Sequence, residues 1–257
     1  MTTIRELPEV ISRDQWLARR MELLAKEKAL TKAYDDLNAE RRRLPMVKIE
    51  KDYVFEGPGG EVRLIDLFEG RQQLIIYHYM FGPSWDKGCM SCAALVDESS
   101  EGRLKHLHNR DTTMAMVSRA PLDKITRFKA SFGWTIPWYS SFNSDFNYDF
   151  HVTLDESVAP VVYDYKTREE HEKAGTSYYF TGEGPFELPG FSCFLRDGAT
   201  VFHTYSTYGR GGEAAITAYH LLDLTVLGRQ EEWEEPQGRV EDPYPPNPNF
   251  AARPSKS

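Results

Sequence analysis
The stretch Gln73-Leu74-Ile75-Ile76-Tyr77-His78-Tyr79-Met80-Phe81, followed after the loop Gly82–Gly88 by Cys89-Met90-Ser91-Cys92, decides how the chain is read. The first part is an apolar run of strand length, rich in β-branched and aromatic residues. Such a run suits a central strand covered on both faces. The segment after the cysteines predicts a helix from about Cys89 to His108. A C-x-x-C at a strand-to-helix junction has a chemical rationale. Unpaired backbone N–H groups and the positive end of the helix dipole favour thiolate over thiol at the first cysteine. The thiolate attacks disulfides, and a second cysteine one turn later can displace the mixed disulfide. Cys89 is therefore the expected nucleophile and Cys92 the expected resolving thiol, with Gly88 giving the sharp turn before them.

The bland readings of the pair are two small buried hydrophobes, half of a metal site, or a structural disulfide. Cys193, the third cysteine, lies in a predicted strand and is expected to be buried and inert. With no second C-x-x-C and no H-x-x-x-H, the sequence calls for no metal, and the dithiol reading needs no cofactor.

Outward from this stretch the order is α/β. Residues 46–56 alternate like a strand, and Glu61–Leu67 is a short strand or entry segment. Thr113–Ser118 predicts a second buried strand, and Leu122–Phe132 a helix opened by Pro121. Ala159–Tyr165 suits a strand. Gly190–Leu195 and Ala199–Ser206 predict a hairpin around Arg196-Asp197-Gly198, followed by a helix over about Gly212–Leu222. Crossover helices force parallel pairing, and the late hairpin adds antiparallel strands.

Residues 13–43 predict one long helix with apolar residues at three-, four- and seven-residue spacings, stopped by Pro45. It is expected to pack on the protein body; a contact with a second copy of the chain, a homodimer, is the sharper alternative. The tail, proline-rich from Pro236, predicts an extended segment. The expected organisation is a helical extension (1–45), an α/β domain (46–231) and the tail (232–257).

The formal net charge is −8, which gives no basis for the counterion release that drives nucleic-acid binding. No apolar run approaches the ~20 residues that cross a bilayer, and the N-terminus shows no secretory pattern. The expectation is a cytoplasmic protein with neither nucleic acid nor membrane as partner, acting on a small or protein disulfide.

Other residues are candidates for contact with that substrate. Trp85 and Lys87 flank the pair, and Lys87 is placed to lower a thiol pKa. Arg119 follows a predicted buried strand, where open sheets present ligand groups; a surface ion pair is its bland alternative. One of His78 and Tyr79 is expected to approach the dithiol, since alternation sends them to opposite faces. The aromatics Trp134, Trp138, Tyr139, Phe142, Phe146, Tyr148 and Phe150 are read as core filling, or as a pocket wall over the dithiol.

The runs Tyr77–Cys92 (YHYMFGPSWDKGCMSC), Met116–Trp138 (MVSRAPLDKITRFKASFGWTIPW), Ser140–Phe150 (SSFNSDFNYDF), Phe202–Gly211 (FHTYSTYGRG) and Tyr219–Glu231 (YHLLDLTVLGRQE) resemble the bacterial "domain of unknown function 899" family. That family is grouped with thioredoxin-like proteins. The resemblance, from about Arg13 to Glu231, implies a thioredoxin-like central sheet flanked by helices. Thioredoxin has a tryptophan before its first cysteine, where this chain has Gly88. Its cis-proline has its nearest counterpart in Pro189. The peroxiredoxin motif P-x-x-x-T/S-x-x-C is absent, because counting from Pro83 its cysteine position falls on Met90. Two further readings stand beside the oxidoreductase: a binding or redox-sensing module with an aromatic pocket, and a thiol-dependent peroxidase.

Overall fold
The computed structural model describes residues 7–241 and 243. The chain forms two compact units: one runs from Met46 to Leu221, the other joins the chain up to Pro45 to the segment from Leu222. Residues 222–231, expected in the α/β domain, therefore belong to the other unit.

The α/β unit is built on an eight-stranded sheet. Its strands are β1 (Val47–Lys48), β2 (Val54–Gly57), β3 (Gly60–Arg63), β4 (Gln73–His78), β5 (Thr112–Ser118), β6 (Trp138–Ser140), and the hairpin partners described below. Short strands β7 (Thr153–Leu154), β8 (Val162–Tyr163), β9 (Lys166–Thr167) and β10 (Phe186–Glu187) pair outside it. The hairpin is β11 (Gly190–Asp197) and β12 (Thr200–Tyr208), turning at Gly198, whose φ of 55° suits a glycine. The spatial order is β1-β12-β11-β4-β5-β6-β2-β3.

Strands β4, β5 and β6 are mutually parallel, and β11 is antiparallel to β4 and β12. Four strands in the order β5-β4-β11-β12, the first pair joined by a helical crossover and the second by a hairpin, make the thioredoxin-like core. The predicted strand 46–56 is interrupted: its start pairs with β12 and its end with β3 and β6.

The long helix α1 (Arg13–Arg41) starts at Ser12, whose hydroxyl and the Gln15 side chain form a reciprocal cap. None of its residues is buried, and apolar and charged residues are spread around its circumference instead of forming one face. The helix expected over Cys89–His108 is two, α2 (Met90–Asp97) and α3 (Glu101–His108). Ser100 caps the second by accepting from the Arg103 N–H, which explains the break. Helix α4 (Leu122–Phe132) follows Pro121 and ends at Gly133. Shorter helices are α5 (Phe146–Asp149), α6 (Arg168–Ala174) and α7 (Thr217–Leu222), the last preceded by a 3₁₀ stretch, Gly209–Ala215, where one continuous helix was expected. The described part of the predicted extended tail is folded into turns and buries Val240; residues from 244 onward lie outside the described residues.

Alternation along β4 and β5 sorts the core into two faces. Tyr77, Met114 and Met116 join Tyr79, Cys92, Ile125, Phe128 and Trp138 on one side. Leu74, Ile76, Ala115 and Val117 join Phe55, Phe68, Phe146, Phe150 and Phe194 on the other. Phe146 is fully buried, with ring centroids 4.9 Å from Phe55 and 4.5 Å from Phe150. Its truncation leaves a cavity that these rings fill only in part. Phe146→Ala is expected to cost about 3–5 kcal/mol in urea unfolding; a cost below about 1 kcal/mol would contradict this packing.

Candidate active site
The site forms where the chain leaves β4 and returns to start α2. Beyond the strand, the Tyr79 N–H still donates to the Val117 carbonyl at 3.0 Å, which prolongs the sheet by one residue. The loop then folds back, and the Cys89 N–H donates to the Met80 carbonyl at 2.9 Å. The Tyr79 hydroxyl donates to the Cys89 carbonyl at 2.6 Å, so the same tyrosine that ends the strand also holds the cysteine. Lys124 on α4 ties the loop down, donating to the carbonyls of Pro83 at 2.9 Å and Trp85 at 3.0 Å.

Gly88 is required by close approach. A β-carbon there would lie 2.7 Å from Cε1 of Tyr79 and 3.0 Å from Cε1 of Phe128. Both rings belong to the buried cluster on this face. The turn expected from a glycine's special backbone freedom is thus a steric requirement.

Cys89 is the N-cap of α2, in extended conformation (φ −64°, ψ 126°), and Cys92 lies in the first turn. Both are thiols, Cys89 partly exposed and Cys92 buried. The Cys89 thiol is lowered from 9.0 to about 6, chiefly by the neighbouring Cys92 thiol and further by the Ser91–Cys92 backbone at the helix start, against the opposing effect of burial. Burial pushes Cys92 the other way, well above 9.0, and the neighbouring Cys89 sulfur adds to it; the Tyr77 hydroxyl and the Met80 N–H work in the opposite sense. The two thiols are thus shifted in opposite directions, Cys89 down and Cys92 up.

The other sequence candidates are placed unevenly. Trp85 is partly buried against the dithiol-face cluster. Lys87 is exposed and is not among the groups that lower the Cys89 thiol. Arg119 is held by Glu187 at 3.1 Å, with 14% and 5% of the two side chains exposed, and lies 4.7 Å from the Tyr148 ring. An ion pair does form, but a buried one, where the alternative weighed for Arg119 was a surface pair. Burial raises the Glu187 carboxyl to about 7, while the Thr153 hydroxyl, at 2.7 Å, and Arg119 pull it down.

Trp138 is 2% exposed and is a core residue, its indole N–H donating to the Ser118 hydroxyl at 3.0 Å. It supports Tyr79, with ring centroids 4.6 Å apart, and offers no wall to a ligand. Pro189 directly precedes β11, but its peptide bond is not among the cis bonds of the chain, so the analogy with a cis-proline fails. Cys193 is half-buried, where full burial was expected.

Of His78, the last residue of β4, and Tyr79 just beyond it, Tyr79 approaches the dithiol. His78 points to the opposite face, where burial lowers it to about 3 and its Nε2 meets Ser192 at 2.8 Å. The aromatic-rich segment divides between the faces: Trp134 and Trp138 pack beside the dithiol, Tyr139, Phe146 and Phe150 away from it. Tyr77, which the sequence reading passed over, lies in the same buried cluster as Cys92; alternation from Tyr79 was the signal for it. Among the described residues, no three His, Cys, Asp or Glu side chains are arranged to share a metal ion. No helix among them is long and apolar enough to cross a membrane.

Gly88→Ala forces a β-carbon into two buried rings and is expected to cost about 1–3 kcal/mol in urea unfolding. The same change displaces Cys89 and slows its alkylation. An unchanged stability together with an unchanged alkylation rate would contradict the close approach.

Among solved structures, the chain is similar to the bacterioferritin comigratory protein of Xanthomonas campestris, at 12% identity and a TM-score of 0.43, over 68% of this chain and 96% of that one. It is likewise similar to peroxidoxin BcpB of Mycobacterium tuberculosis, at 12% identity and a TM-score of 0.42, over 70% of this chain and 96% of that one. Likenesses of this degree speak to neither activity nor substrate. None of the curated proteins compared with the chain matches it. The model of one family, described as a bacterial protein of unknown function (DUF899), matches residues 5–244, and the chain belongs to that family.

Proposed function
We propose that this chain is a dithiol–disulfide oxidoreductase in which Cys89 attacks a small or protein disulfide and Cys92 resolves the mixed disulfide. One observation carries the reading: Cys89 is the partly exposed N-cap of α2 with the buried Cys92 thiol in the first turn, a place that favours its thiolate and lowers its thiol to about 6. In the first step the Cys89 sulfur forms a bond to one sulfur of the substrate, the substrate S–S bond breaks, and the electron pair leaves on the other sulfur, which takes a proton from water. In the second step Cys92 gives up its proton and forms a bond to Cys89, and the remaining substrate sulfur departs as a thiol. The protein is left oxidised by two electrons and the substrate reduced by two. The burial of Cys92 suits this order, since a protonated thiol does not compete for the first attack.

The expected outcome of mild oxidation is loss of both alkylatable thiols at Cys89 and Cys92, restored by reductant and read by mass spectrometry of the alkylated protein. Cys89→Ser is expected to abolish exchange with the fold intact, and Cys92→Ser to accumulate the mixed disulfide on Cys89. Two thiols that never pair would end this reading. A stable sulfenic acid on Cys89 under stoichiometric peroxide, with no Cys89–Cys92 bond, would replace it with a thiol peroxidase.

A further inference from the structure
We propose that His78, Ser192, Ser206 and His203 form a pH-sensitive clamp, which locks the β11–β12 hairpin to β4 while both imidazoles are neutral and opens when His203 takes up a proton. The clamp is independent of the cysteine chemistry above. The four side chains run in series across three strands. The His78 Nε2 meets the Ser192 hydroxyl at 2.8 Å, Ser192 meets the Ser206 hydroxyl at 2.8 Å, and Ser206 meets the His203 Nε2 at 2.7 Å. His78 and both serines are buried, and His203 is half-buried. A β-bulge makes the last link. Cys193 pairs with Tyr205 and Phe194 with His203, so Thr204 is an extra residue in β12. Residues three apart on a regular strand point to opposite faces, and the bulge brings His203 round to the face of Ser206. Both imidazoles then lie against the Phe150 ring, with centroids 6.0 Å from His78 and 5.2 Å from His203.

The supply of hydrogens makes the clamp sensitive to pH. Each serine hydroxyl carries one proton. With both histidines neutral the chain closes in one direction: the His78 Nε2–H donates to Ser192, Ser192 to Ser206, and Ser206 to the bare Nε2 of His203. Only the lone pair of the His78 Nδ1, a buried nitrogen without a partner, is then unused. A protonated His203 must donate from its Nε2. Either the chain reverses and His78 carries an unpaired N–H at Nδ1, or two donors converge and one serine proton has no acceptor. Both outcomes bury a donor without an acceptor, a defect that folded proteins avoid more strictly than an idle lone pair. The surroundings do not compensate. Burial lowers both histidines, His203 lowers His78 further, and only the Tyr205 backbone favours a charged His203. Beside β12, where Val47 of β1 pairs with His203, Lys48 and Glu50 bind each other at 2.9 Å. At α5, Asp145 and Asp149 are both held by Lys51. The Tyr165 and Tyr208 hydroxyls donate to the carbonyls of Ser206 and Phe150.

Long-range proton–nitrogen spectra of the full-length protein read the tautomers directly. At pH 8, His78 is expected as the Nε2–H tautomer and His203 as the Nδ1–H tautomer. On acidification His203 is expected to titrate below its ordinary value of about 6.5. The opposite tautomers, or a His203 that titrates at its ordinary value or above, overturn the proposal. His203→Gln keeps an acceptor for Ser206 and takes up no proton. Between pH 7.5 and 5.5, a histidine that stays neutral when folded and is ordinary when unfolded raises the unfolding equilibrium constant about tenfold. In urea titrations that rise is therefore expected to be about tenfold larger in the parent than in His203→Gln. An equal rise in the two proteins overturns the proposal. Should His203→Gln fail to fold, the tautomers and the His203 titration of the parent decide alone.

Discussion
The sulfur of Cys89 stands at the N-terminus of α2 with the Cys92 thiol as its neighbour, and the surrounding structure serves to hold it there. A helix N-terminus favours negative charge on a side chain placed at it. Cys89 is fixed in that place because its N–H is tied to the Met80 carbonyl and its own carbonyl to the Tyr79 hydroxyl. Both ties come from the end of β4. The sheet therefore sets the reactivity of the cysteine through backbone contacts, and no cationic side chain is among the groups that lower its thiol.

This arrangement gives different parts of one strand different duties. Leu74 and Ile76 anchor β4 against the aromatic layer of Phe146, Phe150 and Phe194. Tyr77 and Tyr79 turn to the other side and share the buried cluster of Cys92, Tyr79 also holding the Cys89 carbonyl. Trp138 and Ser118 stand behind Tyr79: the indole N–H donates to the Ser118 hydroxyl, which donates to the Tyr79 carbonyl at 2.6 Å. Residues that look like a binding wall in the sequence thus act at one remove, by fixing the tyrosine that fixes the cysteine.

Much of the fold was legible from local chemistry. The apolar run of β4, the buried β5, the Pro121-led α4 and the Asp197-Gly198 hairpin each announce themselves within a few residues, and their order implies the sheet. The dithiol was legible for the same reason, since strand, loop and helix start are adjacent in sequence. What the sequence concealed depends on contacts across long separations. Arg119 looks available until Glu187, far along the chain, folds over it. Trp138 looks like a wall until Tyr79 covers it. The trans bond at Pro189 likewise follows from tertiary context. The division of α2 from α3 at Ser100 was readable as a cap and was obscured by the apolar spacing on either side of it.

The account stands on the charge state of one sulfur, and the most direct measurement is the ultraviolet thiolate absorbance of the reduced protein as pH is raised, with Cys193→Ser in the background and Cys89→Ser as reference. A group whose thiol is lowered gains its charge earlier in such a titration. The account expects one thiolate to appear through about pH 6, absent from the Cys89→Ser protein, with Cys92 staying protonated beyond pH 9. A single step at pH 9 or above, the same with and without Cys89, would contradict it.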